Sequence, residues 1–137
     1  MKLVALIMFA LFGLRSHYAT AHDVNHGVER KILSSSALQN IPGHSLTAVT
    51  VELQPGISVP AHKHEGFVFA YVISGEVKSQ LNQEAAKVYR AGQSWIEKPG
   101  DQHSITMNIS NTENAKLLAV FVAPTGAALT TPTSADR

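Results

Sequence analysis

From about Arg30 onward, apolar and polar residues alternate along the chain with the two-residue period of β-strands. Residues 45–53, 59–64, 67–74, 76–81, 87–90, 94–97, 103–109 and 116–123 form short runs rich in β-branched or aromatic side chains. Such side chains suit a pleated, half-buried surface. Turn-forming pairs separate the runs: Pro55-Gly56, Ser74-Gly75, Asn82-Gln83, Ala91-Gly92 and Pro99-Gly100. Past the N-terminal region no window repeats apolar residues at helical spacing, apart from a single turn near residues 34–39. Short strands with turns at close intervals in so small a domain predict an all-β jelly roll, a single barrel or sandwich.

The flanks lack this pattern. Residues 22–29 read as a loose arm ahead of a domain spanning 30–123, and residues 124–137, rich in Thr, Ala and Pro, read as a flexible tail. At the start, Lys2 precedes an apolar run from Leu3 to Leu14, and a polar stretch follows that closes on Ala19-Thr20-Ala21. Basic residue, apolar run and small-x-small site together predict a signal peptide over residues 1–21, cleaved after Ala21. The apolar run is shorter than the roughly 20 residues that a bilayer core requires. The mature chain is therefore expected in the periplasm or outside the cell, with no membrane contact.

Charge and cysteine content narrow the classes further. Removing Lys2 and Arg15 with the leader shifts the formal net charge from +1 to −1, so nothing points to nucleic acid or an anionic surface. The chain has no cysteine. A secreted domain without disulfides relies on its core, on a metal or on oligomerisation. Asn108-Ile109-Ser110 is a glycosylation sequon, meaningful in a eukaryotic source.

Three histidines carry the candidate chemistry. His62 and His64 lie two residues apart in an extended segment, and His103 follows beside the Pro99-Gly100 turn, a spacing that lets two strands present imidazoles to one metal ion. If the register holds through Gly66, then His62, His64, Val68, Ala70 and Val72 share one face, with Phe67, Phe69 and Tyr71 on the other. The alternative is a pair of solvated histidines on a polar loop.

Beyond the histidines, these two segments resemble the motifs of the cupin superfamily. The first motif runs Gly, five residues, His-x-His, three or four residues, Glu, six residues, Gly; Gly56, His62, His64 and Gly75 match it, and Val68 stands at the glutamate position. The second runs Gly, five residues, Pro-x-Gly, two residues, His, three residues, Asn. Gly92, Gly100 and His103 match, Lys98 stands at the proline position with Pro99 beside it, and Asn108 falls one place late. The resemblance covers about residues 46–122. It implies a small jelly-roll barrel, often dimeric, whose interior metal is held by His62, His64 and His103, with Val68 unable to take the fourth place.

A three-imidazole site leaves a divalent ion its full charge and open positions. Iron, zinc, nickel and copper tolerate it better than manganese or magnesium, which prefer oxygen. Glu97, where cupins tend to place an inward apolar residue, is the catalytic candidate: it could ligate the metal, orient a histidine or act as a base, or else turn outward beside Lys98. Glu65 has the opposite parity to the histidines and reads as solvated. Val68, Trp95 and Met107 are the candidate pocket lining, Trp95 by parity with Glu97 and Met107 by parity with His103. The resulting expectation is a metal-dependent enzyme acting on a small organic molecule, as a dioxygenase or as an isomerase, lyase or cyclase. The alternative is a non-catalytic module that binds a metal or small ligand.

Overall fold

A computed structural model of the chain describes residues 24–133. The proposed signal peptide and the end of the tail, residues 134–137, lie outside the described residues. Those described contain no helix and twelve strands. In chain order these are β1 (Val24–Asn25), β2 (Val28–Ala37), β3 (His44–Leu53), β4 (Ser58–Val59), β5 (His62–Lys63), β6 (Phe67–Ser74), β7 (Glu76–Leu81), β8 (Lys87–Arg90), β9 (Ser94–Glu97), β10 (Gln102–Asn108), β11 (Ala115–Pro124) and β12 (Thr131–Pro132).

They pair antiparallel into two facing sheets, one ordered β1-β2-β3-β11-β6-β9 and the other β12-β5-β10-β7-β8, with β4 also against β10. This is a jelly roll, as the turn-punctuated alternation requires. On β6 the alternation is almost complete: Val68, Ala70 and Val72 are buried while Phe67, Phe69, Tyr71 and Ile73 are exposed. Leu53, Val72, Val77 and Leu117 belong to one core cluster, and Val49, Val68, Ala119 and Phe121 form a second.

Four expectations about local structure need correction. The stretch from Val24 to Glu29 is not a loose arm. It forms the β1–β2 hairpin across a tight turn in which His26 and Gly27 both have positive φ, and Val28 packs into the core beside Leu53. Residues 34–37 continue β2 rather than starting a helical turn, because they pair with β3 after a register shift between Ile32 and Ser34. The expected strand over 59–64 is two short strands, interrupted at Pro60, which has no amide to donate. The tail is anchored well beyond residue 124: β12 pairs with β5, Thr133 N–H donates to the Ala61 carbonyl at 3.0 Å, and Leu129 packs on the second cluster.

Candidate metal centre

Sheet register brings the three histidines together. His62 on β5 lies directly across from His103 on β10, and His64 follows in the link to β6 with its side chain on the same inner face. All three are buried. The inward parity runs on through Gly66 to Val68, as expected from the sequence. Gly66 makes this possible, because a Cβ there would collide with the Val122 carbonyl and Ala123 on β11. The second motif is held just as closely. Gly100, at φ 83°, donates its N–H to the His64 carbonyl at 3.0 Å, and Asp101 closes the turn by accepting the Lys98 N–H at 2.8 Å and the Asn82 Nδ2–H at 3.0 Å.

Each imidazole has one nitrogen fixed from outside the cluster. His62 Nδ1–H donates to the Pro60 carbonyl at 2.8 Å, and His64 Nδ1–H donates to the Leu129 carbonyl. His103 Nε2 bonds the Ser79 hydroxyl at 2.8 Å, a contact in which either atom can donate. Nε2 of His62, Nε2 of His64 and Nδ1 of His103 are left for the centre. One ligand atom from each histidine lies within 4.8 Å of the others. Burial first, and then the neighbouring His103 and His64, lower the His62 pKa from 6.5 to about 4, keeping the ring in the neutral form that a metal binds.

Glu97 turns inward, not outward beside Lys98, and is 3% exposed. Its residue pairs directly across the β6–β9 ladder with Val68, the position that holds glutamate in the cupin motif. Oε1 accepts the Trp95 Nε1–H at 3.0 Å and lies 3.2 Å from His103 Nδ1. Oε2 lies 3.4 Å from His64 Nε2, yet it is buried without a hydrogen-bond partner. Burial pushes the Glu97 carboxyl up. The hydrogen bond and charge of His103, followed by the charge of His64 and the Trp95 donor, outweigh that and hold it below its ordinary value.

The cluster opens into a cavity of about 100 Å³, room for several waters or a small organic ligand. Val68 and Trp95 line it, beside Val49, Ala119 and Phe121. Met107 does not. A bulge at Ser104 inserts one residue into β10 opposite β7, so inward parity passes from His103 to Thr106 and Asn108, and Met107 sits between them. Sequence reading missed Thr106, whose buried hydroxyl is unpaired in the cavity wall, and Arg30, which reaches the cavity from β2. A bulge has no signal in alternation, although the late position of Asn108 was a trace of it.

Glu65 is exposed, as its parity predicted. Asn108 is wholly buried, and its Nδ2 donates to the Leu53, Gln54 and Glu113 carbonyls at 2.8–3.1 Å. In the folded chain that amide has no room for a glycan.

A jelly roll that gathers three buried imidazoles in its interior defines a class of β-barrel protein with a candidate metal centre. The sequence model of the cupin domain matches residues 49–121, and the chain belongs to that family. Solved structures agree on the fold. KdgF from Halomonas sp. is 22% identical with a TM-score of 0.62, covering 76% of this chain and 86% of that one. Oxalate decarboxylase from Bacillus subtilis is 22% identical with a TM-score of 0.64, covering 83% of this chain and 30% of that one. The DMSP lyase DddQ from Ruegeria pomeroyi is 17% identical with a TM-score of 0.58, covering 66% and 45%. A search of curated proteins found no sequence match.

Proposed function

We propose that this cupin is a secreted, metal-dependent enzyme acting on a small organic molecule inside the barrel. The observation that carries the reading is the convergence of three buried imidazoles at a cavity with one buried carboxylate beside them. The outer nitrogens are fixed by Pro60, Leu129 and Ser79, so the inner ones are pre-aimed, the arrangement that holds metal ligands in place. The donor set therefore fits a divalent ion of the iron, nickel, copper or zinc type. When bound, such an ion supplies Lewis-acid polarisation of a substrate oxygen, or activation of water or dioxygen.

The chain's own residues do the rest. Val68, Ala119 and Phe121 exclude water around the substrate space, and Trp95 fixes the orientation of Glu97. An acid inside the barrel favours an enzyme over a passive binding module, since a sealed apolar interior would serve the latter. The activities named for DMSP lyase and oxalate decarboxylase, which share this fold, fall in the lyase class, one of the reaction types considered beside dioxygenase, isomerase and cyclase.

We also assign homodimer formation to the outer face of the first sheet. Phe67, Phe69, Tyr71 and Ile73 on β6 and Ile96 on β9 form adjacent exposed apolar positions, with Phe69 directly opposite Ile96. No ionisable side chain interrupts these five except the phenol of Tyr71. A second copy of the same uncharged face is the occupant that matches it.

Elemental analysis of the purified mature protein tests the metal reading. The expected result is about one transition-metal ion per chain, lost in a His62→Ala/His64→Ala variant. Equal metal content in the two proteins would remove the histidines as ligands.

A further inference from the structure

Glu97 has three duties open to it: ligand, orienter of a histidine, or free base. We propose that it is the fourth protein ligand, so that the carboxylate missing at Val68 enters the same centre from the neighbouring strand. The inference rests on the metal-binding reading above.

The placement comes from the ladder. Val68 and Glu97 are directly paired on β6 and β9, and both are buried on the inner face. Side chains so paired start from Cβ atoms about 4.5–5.5 Å apart, well within the reach of a glutamate. Exchanging valine and glutamate between the two positions therefore moves the root of the carboxylate without moving its destination.

The contacts speak against an orienting role. An orienting carboxylate bonds the ring nitrogen that faces away from the metal. Here those nitrogens are taken, His64 Nδ1 by the Leu129 carbonyl and His103 Nε2 by the Ser79 hydroxyl. Glu97 instead approaches the inner nitrogens, at 3.4 Å from His64 Nε2 and 3.2 Å from His103 Nδ1. Neighbouring ligands on one ion stand about 3.0–3.4 Å apart when metal bonds are near 2.1 Å and the angles lie between octahedral and tetrahedral. Oε2 makes the first contact and Oε1 the second, so each oxygen stands at that distance from one of the two imidazoles.

The two carboxylate oxygens are also unequal. Trp95 holds Oε1, and Tyr89 packs on the Trp95 ring with centroids 4.6 Å apart, which fixes the plane of the carboxylate. Oε2 is left buried and without a hydrogen-bond partner, so its lone pairs are open to a ligand bond. A bound carboxylate lowers the net charge of a divalent centre from +2 to +1 and adds a hard oxygen donor. The centre then accepts manganese and ferrous iron more readily than three imidazoles alone.

Cobalt(II), with its visible ligand-field bands, serves as the probe. The mature wild-type chain, Glu97→Gln and the exchange variant Val68→Glu/Glu97→Val are titrated with cobalt(II), following absorption and bound metal after dialysis. Glu97→Gln, near-isosteric and able to keep the Trp95 contact, is expected to weaken cobalt binding by on the order of ten- to hundred-fold and to alter the band positions and intensities. The exchange variant is expected to regain most of the affinity and a spectrum close to wild type. A Glu97→Gln protein with wild-type bands overturns ligation even if its affinity drops modestly, and that outcome does not depend on whether the exchange variant folds. A wild-type chain that binds no cobalt, zinc, iron or manganese fails earlier, at the metal reading itself.

Discussion

Protonation of His62 sets how the metal-free protein responds to acid. The ring is 7% exposed, and its pKa falls from 6.5 to about 4 on folding, chiefly through burial. The unfolded chain therefore takes up a proton near pH 6.5 that the folded chain refuses until about pH 4. The contribution of neutral His62 to stability is fully present above pH 6.5 and is lost as pH falls through that window. At about 1.4 kcal/mol per pH unit, the loss across the window is roughly 3 kcal/mol. Glu97 acts in the same direction but lower, since its depressed pKa lends stability above the ordinary carboxylate range that disappears only below it. Urea unfolding of chelator-treated protein at half-unit steps from pH 7.5 to 4 measures the slope. A His62→Asn variant, which keeps a donor for the Pro60 carbonyl, is expected to flatten the curve between pH 6.5 and 4.5. A variant with the wild-type slope would show that another group controls acid sensitivity.

Gly66→Ala places a methyl against the Val122 carbonyl and Ala123, so β6 must shift from β11; a loss of about 1–3 kcal/mol in urea unfolding, with weaker metal retention, is expected. Retention of full stability would show that β11 yields there at little cost. Phe69→Lys puts a charge at the centre of the apolar outer face and is expected to convert a dimer to a monomer in sedimentation, with the cavity and its metal content unchanged. A wild-type chain that sediments as a monomer at high concentration refutes the dimer.

The parts of this molecule that were legible in the sequence are those governed by period and by turn chemistry. The β6 alternation, the Gly66 crossing and the turns at Gly75 and Gly100 follow from local rules, and they put His62, His64, Val68 and Trp95 on the inner face that lines the cavity. The misreadings have non-local causes. β2 carries a charged run and then serines, and beyond Arg30 it is largely exposed, so only its pairing with β3 makes it a strand. The β12 segment is ordered by β5, about seventy residues earlier in the chain. Met107 was misassigned because one bulged residue reverses every parity argument downstream of it. Glu97 stood out as an unusual acid, but its pairing with Val68 is a property of the ladder and cannot be read along either strand alone.

The Ser79 hydroxyl behind His103 has a consequence for which tautomers that ring can take. A hydroxyl donates or accepts by rotating its proton. When His103 Nδ1 is engaged by a cation, the ring proton sits on Nε2 and Ser79 accepts it; when the cation leaves, the proton can move to Nδ1, toward Glu97, while Ser79 turns and donates to Nε2. A carbonyl at that place, like those behind His62 and His64, would accommodate only one of the two tautomers. Ser79 can therefore satisfy Nε2 in either tautomer of His103, the one that would leave Nδ1 free for a cation and the one that carries its proton on Nδ1.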